Sequence, residues 1–334
     1  MESVTPRSDG TQIAVINGLR GLAALWVCWF HITGLIQPNP TIEPLIATGR
    51  YGFMGVQIFF VLSGFVIPYA LHRSNYRPSM LPRFIAKRML RLHPPYLTVV
   101  AILAASRWIA NATGLHPYDI TWPQVLAHLA YLNAFLGLPW LLDSFWTLAI
   151  EFQYYLSIGI LFPLAARPGW TTAVAIAAIS GACSVLLPSG DHLPHHLPFF
   201  AMGIAAFRRH SLKAPLSETI LILLIATAFG RTSHGWIAAL IGLTTALLIL
   251  LTSYTNRLLD GLGNISYSLY LTHPLLASTV LMQGSRIVGD SSLARVSLML
   301  AAVAASLLGA WPLYRFVELP SKRWAAKIRY RTVY

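Results

Sequence analysis

Three residues that carry charge or exchange protons stand within apolar stretches of the sequence: Arg20, His31 and Glu151. Placing a charged side chain at the centre of a bilayer costs about 2.5–3.5 kcal/mol on insertion scales, so such residues face a cavity or one another. Arg20 and His31 are separated by about three helical turns, which puts both side chains on one helix face, roughly 16 Å apart. Since histidine exchanges a proton near neutral pH, we expect His31 to be a general base.

The sequence leaves a structural alternative open for each of these residues. Arg20 would then pair with a buried carboxylate, and His31 would be a histidine near the membrane surface with satisfied hydrogen bonds. Glu151 is the acid that stands deepest in an apolar stretch. Our hypothesis is that Glu151 orients or charges His31, or contacts an acceptor hydroxyl. The alternative for Glu151 is an ion pair with Arg20.

A second group of functional candidates is basic and precedes an apolar stretch. On a helix, Lys87, Arg88 and Arg91 form one basic face, because residues three apart are neighbours. Arg recognises phosphate with paired donors, so this face is a candidate clamp for a ligand that carries phosphate groups. The alternative is a topological anchor that grips lipid phosphates.

The composition indicates that lipid surrounds these residues. Of 334 residues, 56% are hydrophobic and only 10% are charged, whereas soluble domains carry about 25% charged residues. The apolar residues come in blocks close to membrane-spanning length. The net charge of +13 comes from residues between these blocks, a pattern that sets topology, so we expect no nucleic-acid partner.

The apolar blocks predict an all-α polytopic membrane protein with about ten membrane helices. Segment 124–142 is apolar but contains Gly137 and Pro139, which favours a re-entrant or interfacial piece. The predicted helices are 13–36, 51–71, 92–110, 145–165, 170–187, 196–207, 217–231, 233–252, 264–283 and 293–315.

Basic residues are asymmetrically distributed between the predicted loops. With the N-terminus in the cytoplasm, ten helices return the C-terminus there, and most of the 24 basic residues fall in cytoplasmic segments, as the positive-inside rule requires. We therefore expect a short cytoplasmic tail at 1–12, a membrane domain at 13–320 and a basic cytoplasmic tail at 321–334. We expect the chain to be a multi-pass protein of the bacterial inner membrane.

One cluster of potential metal ligands is interpreted as structural. Asp191, His192, His195 and His196 fall in one predicted outer loop. Because no set of ligands with defined spacing accompanies them, we interpret the segment as a solvated loop and expect no metal. A role in contacting the acceptor is the alternative.

Five sequence blocks, in chain order, resemble the acyltransferase 3 family. They extend across most of the chain. Each block alone is a moderately specific match to the family, and the blocks together are a strong match. This chain has Gln57 where family members often have Asp, so we assign no charged role to that position. The blocks are NGLRGLAA at 17–24 followed by His31, GFMGVQIFFVLSGF at 52–65, Arg88-x-x-Arg91 before Pro95-Tyr96, SFWTLAIEFQYY at 144–155, and LGNISYSLYLTHP at 262–274. In addition, FVELP at 316–320 resembles the closing Glu-x-Pro element.

The resemblance implies roles for residues at matching positions. It implies that Arg20 and His31 are functionally important, and it favours the phosphate-clamp interpretation of Arg88 and Arg91. We expect Arg20 to lie along the path taken by the pantetheine arm of an acyl-CoA donor. Ser63 is expected to be a hydrogen-bonding partner rather than a nucleophile. The remaining cavity-lining candidates share one face of a predicted helix; they are Tyr267, Tyr270 and His273, the last with fixation of a helix distortion at Pro274 as its alternative.

The resemblance also implies a reaction and its partners. We expect transfer of an acyl group, most often acetyl, from cytoplasmic acyl-CoA to a hydroxyl of a carbohydrate or lipid-linked glycan, as in polysaccharide O-acetylation. Membrane lipids surround the chain, and a homodimer is left open. The competing hypothesis is a transporter or channel, because intramembrane Arg, His and Glu also mark transport pathways.

Overall fold

The computed structural model describes residues 8–36, 40–114, 118–187, 190–252, 256–289 and 291–329. Within these ranges the chain is helical and has no strand. The helices are α1 (Ser8–Leu35), α2 (Glu43–Ala47), α3 (Gly55–Arg73), α4 (Leu81–Ala112), α5 (Trp122–Ala127), α6 (Trp146–Ala165), α7 (Trp170–Leu186), α8 (Leu193–Ser211), α9 (Leu216–Leu251), α10 (Arg257–Gly284), α11 (Ser292–Leu313) and α12 (Leu319–Lys327).

Within the described ranges, six helical segments are long and apolar enough to cross a membrane. This confirms the all-α membrane class, whereas the predicted number of ten crossings is not reached by this criterion. The six segments are Val15–Leu35, Glu43–Arg73, Pro78–Ala112, Asp143–Ala165, Leu216–Leu251 and Ser292–Lys327.

Helix α4 begins much earlier than predicted. The sequence suggested a membrane helix from residue 92, but α4 starts at Leu81 and continues through Pro94 and Pro95 to Ala112. The basic segment and the apolar segment are therefore one helix. The basic face of this helix is consequently held in a fixed relation to the bundle.

Helix α9 reverses its direction at Gly235, whose φ of 84° and ψ of 170° are not helical. A Cβ built on Gly230 lies 3.8 Å from the Cβ of Ala239. In a straight helix, nine residues would separate these positions by about 13.5 Å along the axis. The two halves of α9 therefore fold back on each other, at the break predicted between 217–231 and 233–252.

Glycines bring the site-bearing helices into close contact. A Cβ on Gly21 of α1 would lie 2.7 Å from the backbone N of Gly263 of α10, and one on Gly263 would lie 2.1 Å from the carbonyl O of Asn17. Asn17 also donates to the Asp260 carbonyl at 3.0 Å. These contacts leave no room for a side chain, so α1 and α10 meet backbone to backbone.

The second sequence block uses glycine in the same way. A Cβ on Gly64 of α3 would lie 2.3 Å from the carbonyl O of Phe200 in α8, and one on Gly52 would lie 2.3 Å from the carbonyl O of Trp26. Close helix approach therefore explains these glycines.

The buried carboxylate of Glu318 fastens the segment between α11 and α12 to α10. Between α11 and α12 the backbone makes a π-helical turn, Tyr314–Glu318. The Glu318 carboxylate accepts from the Ser268 backbone N–H at 3.2 Å and from the Ser268 hydroxyl at 2.6 Å, and it pairs with Lys322 at 2.5 Å. Lys322 donates in turn to the Asn264 carbonyl at 3.4 Å. The Glu-x-Pro element is therefore a structural clamp on the helix that carries Tyr267 and Tyr270.

Candidate functional site

A cavity of about 1570 Å³ opens at the end of the bundle that holds the N-terminal half of α1. We call it the basic vestibule, because eight of the described lining residues are cationic and Asp260 is the one acid among them. Such an excess of positive charge raises the local concentration of anions. The cations are Arg20, Arg73, Arg77, Lys87, Arg88, Arg91, Lys322 and Arg329.

The cations become less exposed with depth in the vestibule. Arg73 and Arg77 are exposed at the mouth, Lys87 and Arg91 are half-buried, and Arg88 is only 8% exposed. Electrostatic attraction to an anion therefore strengthens inward as water is excluded. This arrangement suits a ligand with several negative groups along its length.

Arg88 is held between two aromatic rings. The centre of its guanidinium lies 5.5 Å from the centroid of the Phe84 ring and 5.6 Å from that of the Tyr155 ring. These cation–π contacts fix the orientation of the guanidinium. Arg88 thus points its donors toward the vestibule from a defined position.

The C-terminal part of the chain forms one wall of the vestibule, which the sequence did not predict. Residues of α12 and beyond, including Lys322 and Arg329, belong to the lining. The Lys87 ammonium donates to the carbonyl of Ile328 at 3.2 Å. Part of the segment predicted as a tail at 321–334 therefore contributes to the site, while the domain boundaries themselves stay a prediction.

A second, smaller cavity of about 80 Å³ continues inward from the vestibule. We call it the neck. Four residues line both cavities, namely Arg20, Val66, Arg88 and Arg91. The two spaces are therefore adjacent, and Arg20 lies where they join. The polar residues that line the neck but not the vestibule are Ser63, Thr147, Glu151, Tyr155, Ser266, Tyr267 and Tyr270.

Glu151 is bound by two hydroxyl groups in the neck. The Ser63 hydroxyl donates to Glu151 Oε1 at 3.1 Å, and the Tyr155 hydroxyl donates to the same oxygen. No hydrogen bond or ion pair joins Glu151 to His31 or to Arg20 among the described side chains. Glu151 therefore faces the passage between the helices. The sequence did not identify Tyr155 as its partner, although the spacing of four residues on one helix would have allowed it.

His31 lies beyond the neck and contacts His273. The centroids of the two imidazole rings are 5.2 Å apart, and that of His273 is 5.8 Å from the ring of Tyr270. Neither histidine lines the vestibule or the neck. A line of aromatic contacts therefore leads from the inner end of the neck to His31.

The tautomer of His273 follows from its hydrogen bond. Its Nδ1 lies 3.0 Å from the carbonyl O of Leu269, which can only accept, so Nδ1 carries the proton in the neutral ring. Nε2 is then an acceptor, and it is buried without a hydrogen-bond partner among the described atoms. His273 thus both contacts the backbone beside Pro274 and presents a lone pair within the core.

The two tyrosines expected in the cavity have structural hydrogen bonds as well. The Tyr267 hydroxyl donates to the carbonyl of Leu92 at 2.8 Å. The Tyr270 hydroxyl lies 2.7 Å from the Thr147 hydroxyl and 3.1 Å from the Ser144 carbonyl O. These bonds connect α10 to α4 and α6, and they fix the walls of the neck.

The histidine-rich segment at the opposite end of the bundle differs from the solvated loop that was predicted. His196 is 4% exposed and its Nδ1 lies 3.1 Å from Nε2 of His234. The centroids of the His195 and His234 rings lie 4.3 Å apart, with an angle of 37° between the ring planes. His234 lies next to the reversal in α9, so sequence distance concealed this cluster. Across the described residues, no group of His, Cys, Asp and Glu has the geometry of a metal site.

A buried histidine also organises the segment between α4 and α6, which lies outside the membrane-spanning candidates. Nδ1 of His128 lies 2.6 Å from the Tyr96 hydroxyl, and its Nε2 accepts from the Leu141 backbone N–H at 3.3 Å. Burial, with the positive charge of Arg107, lowers the pKa of His128 to about 4. The neutral ring therefore holds this segment together.

The sequence also matches characterised proteins. The acyltransferase domain family model matches residues 13–315. The chain is 30% identical to the peptidoglycan O-acetyltransferase OatA of Listeria monocytogenes, over 46% of this chain and 24% of that protein. It is 28% identical to the O-acetyltransferase OatA of Staphylococcus aureus, over 45% of this chain and 24% of that protein. It is 23% identical to the acyltransferase MdmB of Streptomyces mycarofaciens, over 95% of this chain and 94% of that protein.

The matches differ in how much of each relative they include. The chain spans about a quarter of the length of the OatA proteins and nearly all of MdmB. No solved structure matches this chain at the significance that these relatives reach.

Proposed function

This chain belongs to the acyltransferase 3 family, and from that premise we propose that it transfers an acetyl group from cytoplasmic acetyl-CoA to a hydroxyl of a carbohydrate or lipid-linked glycan. The observation that carries the proposal is the continuity of the basic vestibule with the neck that holds Glu151. Acyl-CoA has anionic phosphates at one end and a thioester at the other, joined by a slender arm. A wide basic chamber that narrows to a neck complements this shape.

The proposal includes an orientation in the membrane. Ten crossings with both termini in the cytoplasm would open the vestibule toward the cytoplasm, where acyl-CoA is available. The distribution of basic loops supports this orientation. His31 would then lie toward the outer side of the membrane, and the bacterial inner membrane is the proposed location.

In the proposed donor complex, Arg88 and Arg91 bind phosphate groups at the inner end of the vestibule, with Lys87 beside them. Arg binds phosphate oxygens with two parallel N–H donors. Arg20 lies beside the path of the pantetheine arm, because it lines both cavities. The thioester would extend through the neck past Glu151 toward Tyr270.

In the proposed transfer step, His31 accepts the proton of the acceptor hydroxyl as the oxygen attacks the thioester carbonyl carbon. The tetrahedral intermediate collapses, the C–S bond breaks, and the CoA thiolate recovers the proton. The products are the O-acyl ester and CoA. A transient acyl group on His31 is the alternative sequence of steps.

The geometry refines the role proposed for Glu151. Its carboxylate is bound to Ser63 and Tyr155 in the neck, so we place its action along the donor's path rather than directly on His31. We place His273 in contact with His31 as a positioning residue. A transporter would require the same polar path, but the family match favours an acyltransferase.

The test is acetyl transfer by purified protein in nanodiscs, with binding of a non-hydrolysable acetyl-CoA measured in parallel. We expect Arg88→Ala to lose donor binding, and His31→Ala to bind donor but lose turnover. Arg83→Ala is a matched control, because Arg83 is on the same helix but outside the vestibule lining. A folded wild-type protein that binds no acyl-CoA would reject the proposal.

A further inference from the structure

The part of the vestibule wall formed by the end of α3 and the residues that follow it combines an aromatic ring with arginines. Tyr69, on the last turns of α3, and Arg73, one turn later, both line the cavity, and Arg77 follows them. The Arg73 guanidinium lies 5.8 Å from the centroid of the Tyr69 ring, and its Nη1 donates to the Tyr69 hydroxyl at 3.3 Å. None of these three residues was singled out as a site residue from the sequence.

The Tyr69 ring packs against two other rings. It stacks on the Phe65 ring with centroids 5.7 Å apart and an angle of 14° between the planes. The His210 ring of α8 packs against both, at 5.9 Å from Tyr69 and 5.6 Å from Phe65. Tyr69 is therefore a fixed, half-buried platform on the vestibule wall.

The corner that follows Arg73 is also fixed. Asn75 has a left-handed φ of 49°, its N–H donates to the His72 carbonyl, and the Tyr76 N–H donates to the Leu71 carbonyl, both at 3.1 Å. This pair of bonds is a Schellman motif. The buried Tyr76 hydroxyl donates to the Gly159 carbonyl at 2.9 Å. Arg73 and Arg77 are thus held on either side of a rigid helix end.

The vestibule and the neck differ greatly in volume. Each must therefore hold a different part of a donor that carries a nucleotide. The neck, at about 80 Å³, admits a slender arm but not a nucleotide, whereas the vestibule has about 1570 Å³. If Arg88 and Arg91 bind the diphosphate where the vestibule meets the neck, the nucleoside must remain nearer the mouth. Among the described residues that line the vestibule, Tyr69 is the one aromatic residue that is not fully buried. The exposed arginines of the lining are Arg73, Arg77 and Arg329, and the first two follow Tyr69 closely in the chain.

We propose that Tyr69 stacks on the adenine of the donor and that Arg73 and Arg77 bind its 3′-phosphate. This inference rests on the proposed function and assigns the nucleotide end of the same site. Stacking of a base on an aromatic ring contributes about 1–3 kcal/mol, and Arg pairs with phosphate through charge-assisted hydrogen bonds. The site would therefore distinguish CoA from a donor that lacks the 3′-phosphate.

The experiment compares three acetyl donors: acetyl-CoA, 3′-dephospho-acetyl-CoA and S-acetylpantetheine. For the wild type we expect kcat/KM to fall about tenfold or more when the 3′-phosphate is removed. The Arg73→Ala, Arg77→Ala double variant should lose most of this preference while keeping its activity on the two shorter donors. Tyr69→Leu should lower kcat/KM for each of the two nucleotide donors about tenfold and leave kcat/KM for S-acetylpantetheine unchanged.

Each contrary outcome has a defined meaning. If kcat/KM of the double variant falls equally for all three donors, the assignment of Arg73 and Arg77 is wrong. The assignment is also wrong if the double variant keeps the wild-type preference for the 3′-phosphate. If Tyr69→Leu lowers kcat/KM for S-acetylpantetheine as much as kcat/KM for acetyl-CoA, the assignment of Tyr69 to adenine stacking is wrong. Wild-type protein that uses none of the donors would instead reject the proposed function.

A lipid headgroup offers the same phosphate chemistry, so the donor assays are repeated in two lipid compositions. In nanodiscs of neutral lipid, the preference for the 3′-phosphate should persist. If the two arginines bind anionic lipid instead, the double variant will differ from the wild type only in nanodiscs that contain phosphatidylglycerol. That result would overturn the proposal. Arg83→Ala, which removes a charge outside the vestibule, should behave as the wild type in both lipids.

Discussion

The imidazole rings of His31 and His273 pack against each other where α1 and α10 meet, with centroids 5.2 Å apart and an angle of 50° between the ring planes. His273 is completely buried, and its Nδ1 is engaged by the Leu269 carbonyl. Protonation of His31 would therefore place a positive charge directly beside the neutral imidazole of His273, whose orientation is fixed by this hydrogen bond. We expect this contact to set both the orientation and the proton affinity of His31.

The first prediction concerns this pair. Removing a general base costs about 10²–10⁴-fold in rate, so His31→Ala should lose turnover by that factor while still binding donor. His273→Gln should lower kcat by a smaller factor and shift the acidic limb of the pH–rate profile, with donor Kd unchanged. A His273→Gln enzyme with the wild-type profile would show that the ring contact is only packing.

The second prediction concerns the glycine contact that holds Arg20 beside the vestibule. Gly263→Ala would place a Cβ 2.1 Å from the Asn17 carbonyl O, so α1 must move away from α10. We expect weaker acyl-CoA binding and a lower Tm. Gly261→Ala is the matched control, because its Cβ would meet nothing within 4 Å. It should preserve binding and add up to about 1 kcal/mol of helix stability.

The third prediction compares two adjacent arginines of α8. Arg208 is buried, pairs with Glu218 at 2.8 Å and donates to the carbonyls of Ala165 and Arg167. Arg208→Ala should destabilise the protein by about 3–5 kcal/mol, because Glu218 is left as an unpaired buried charge. Arg209 is exposed, so Arg209→Ala should cost about 1 kcal/mol or less. Thermal unfolding in detergent measures both.

The fourth prediction concerns pH and His128. Its pKa is about 4 in the folded protein against 6.5 as the ordinary value, so the unfolded chain binds more protons between these pH values. The free energy of unfolding should therefore fall as pH is lowered from about 6.5 to about 4. His128→Gln should show a smaller slope in this window. An unchanged slope would mean that His128 titrates alike in both states.

The positions of most helices could be predicted from the sequence because apolar blocks dominate it. The blocks predicted at 145–165 and 170–187 correspond closely to α6 and α7. The membrane helix was predicted to begin at residue 92, directly after the basic segment. In the structure the helix runs through both prolines, since packing within a bundle overrides local propensity.

The candidate site could be predicted only in part. Arg20, Arg88 and Arg91 were expected to serve one donor, and they do line one cavity. Lys322 and Arg73 were missed, because a vestibule built from several helix ends depends on how those ends converge. Glu151 was expected to act on His31 or on an acceptor hydroxyl. In the structure its hydrogen bonds among the described residues are with Ser63 and Tyr155, a pairing that depends on how α3 and α6 pack.

The wall contributed by the C-terminal segment has a consequence for biosynthesis. The hydrogen bond from Lys87 to Ile328 joins residues that are 241 positions apart, and Asn17 reaches Asn264 across 247. Contacts of such long range form late, because a large loop must close before they can be made. During translation, the early helices would therefore enter the membrane with the vestibule still open along one side. A ribosome-bound intermediate would have no complete chamber until α12 has been synthesised and has packed against α4.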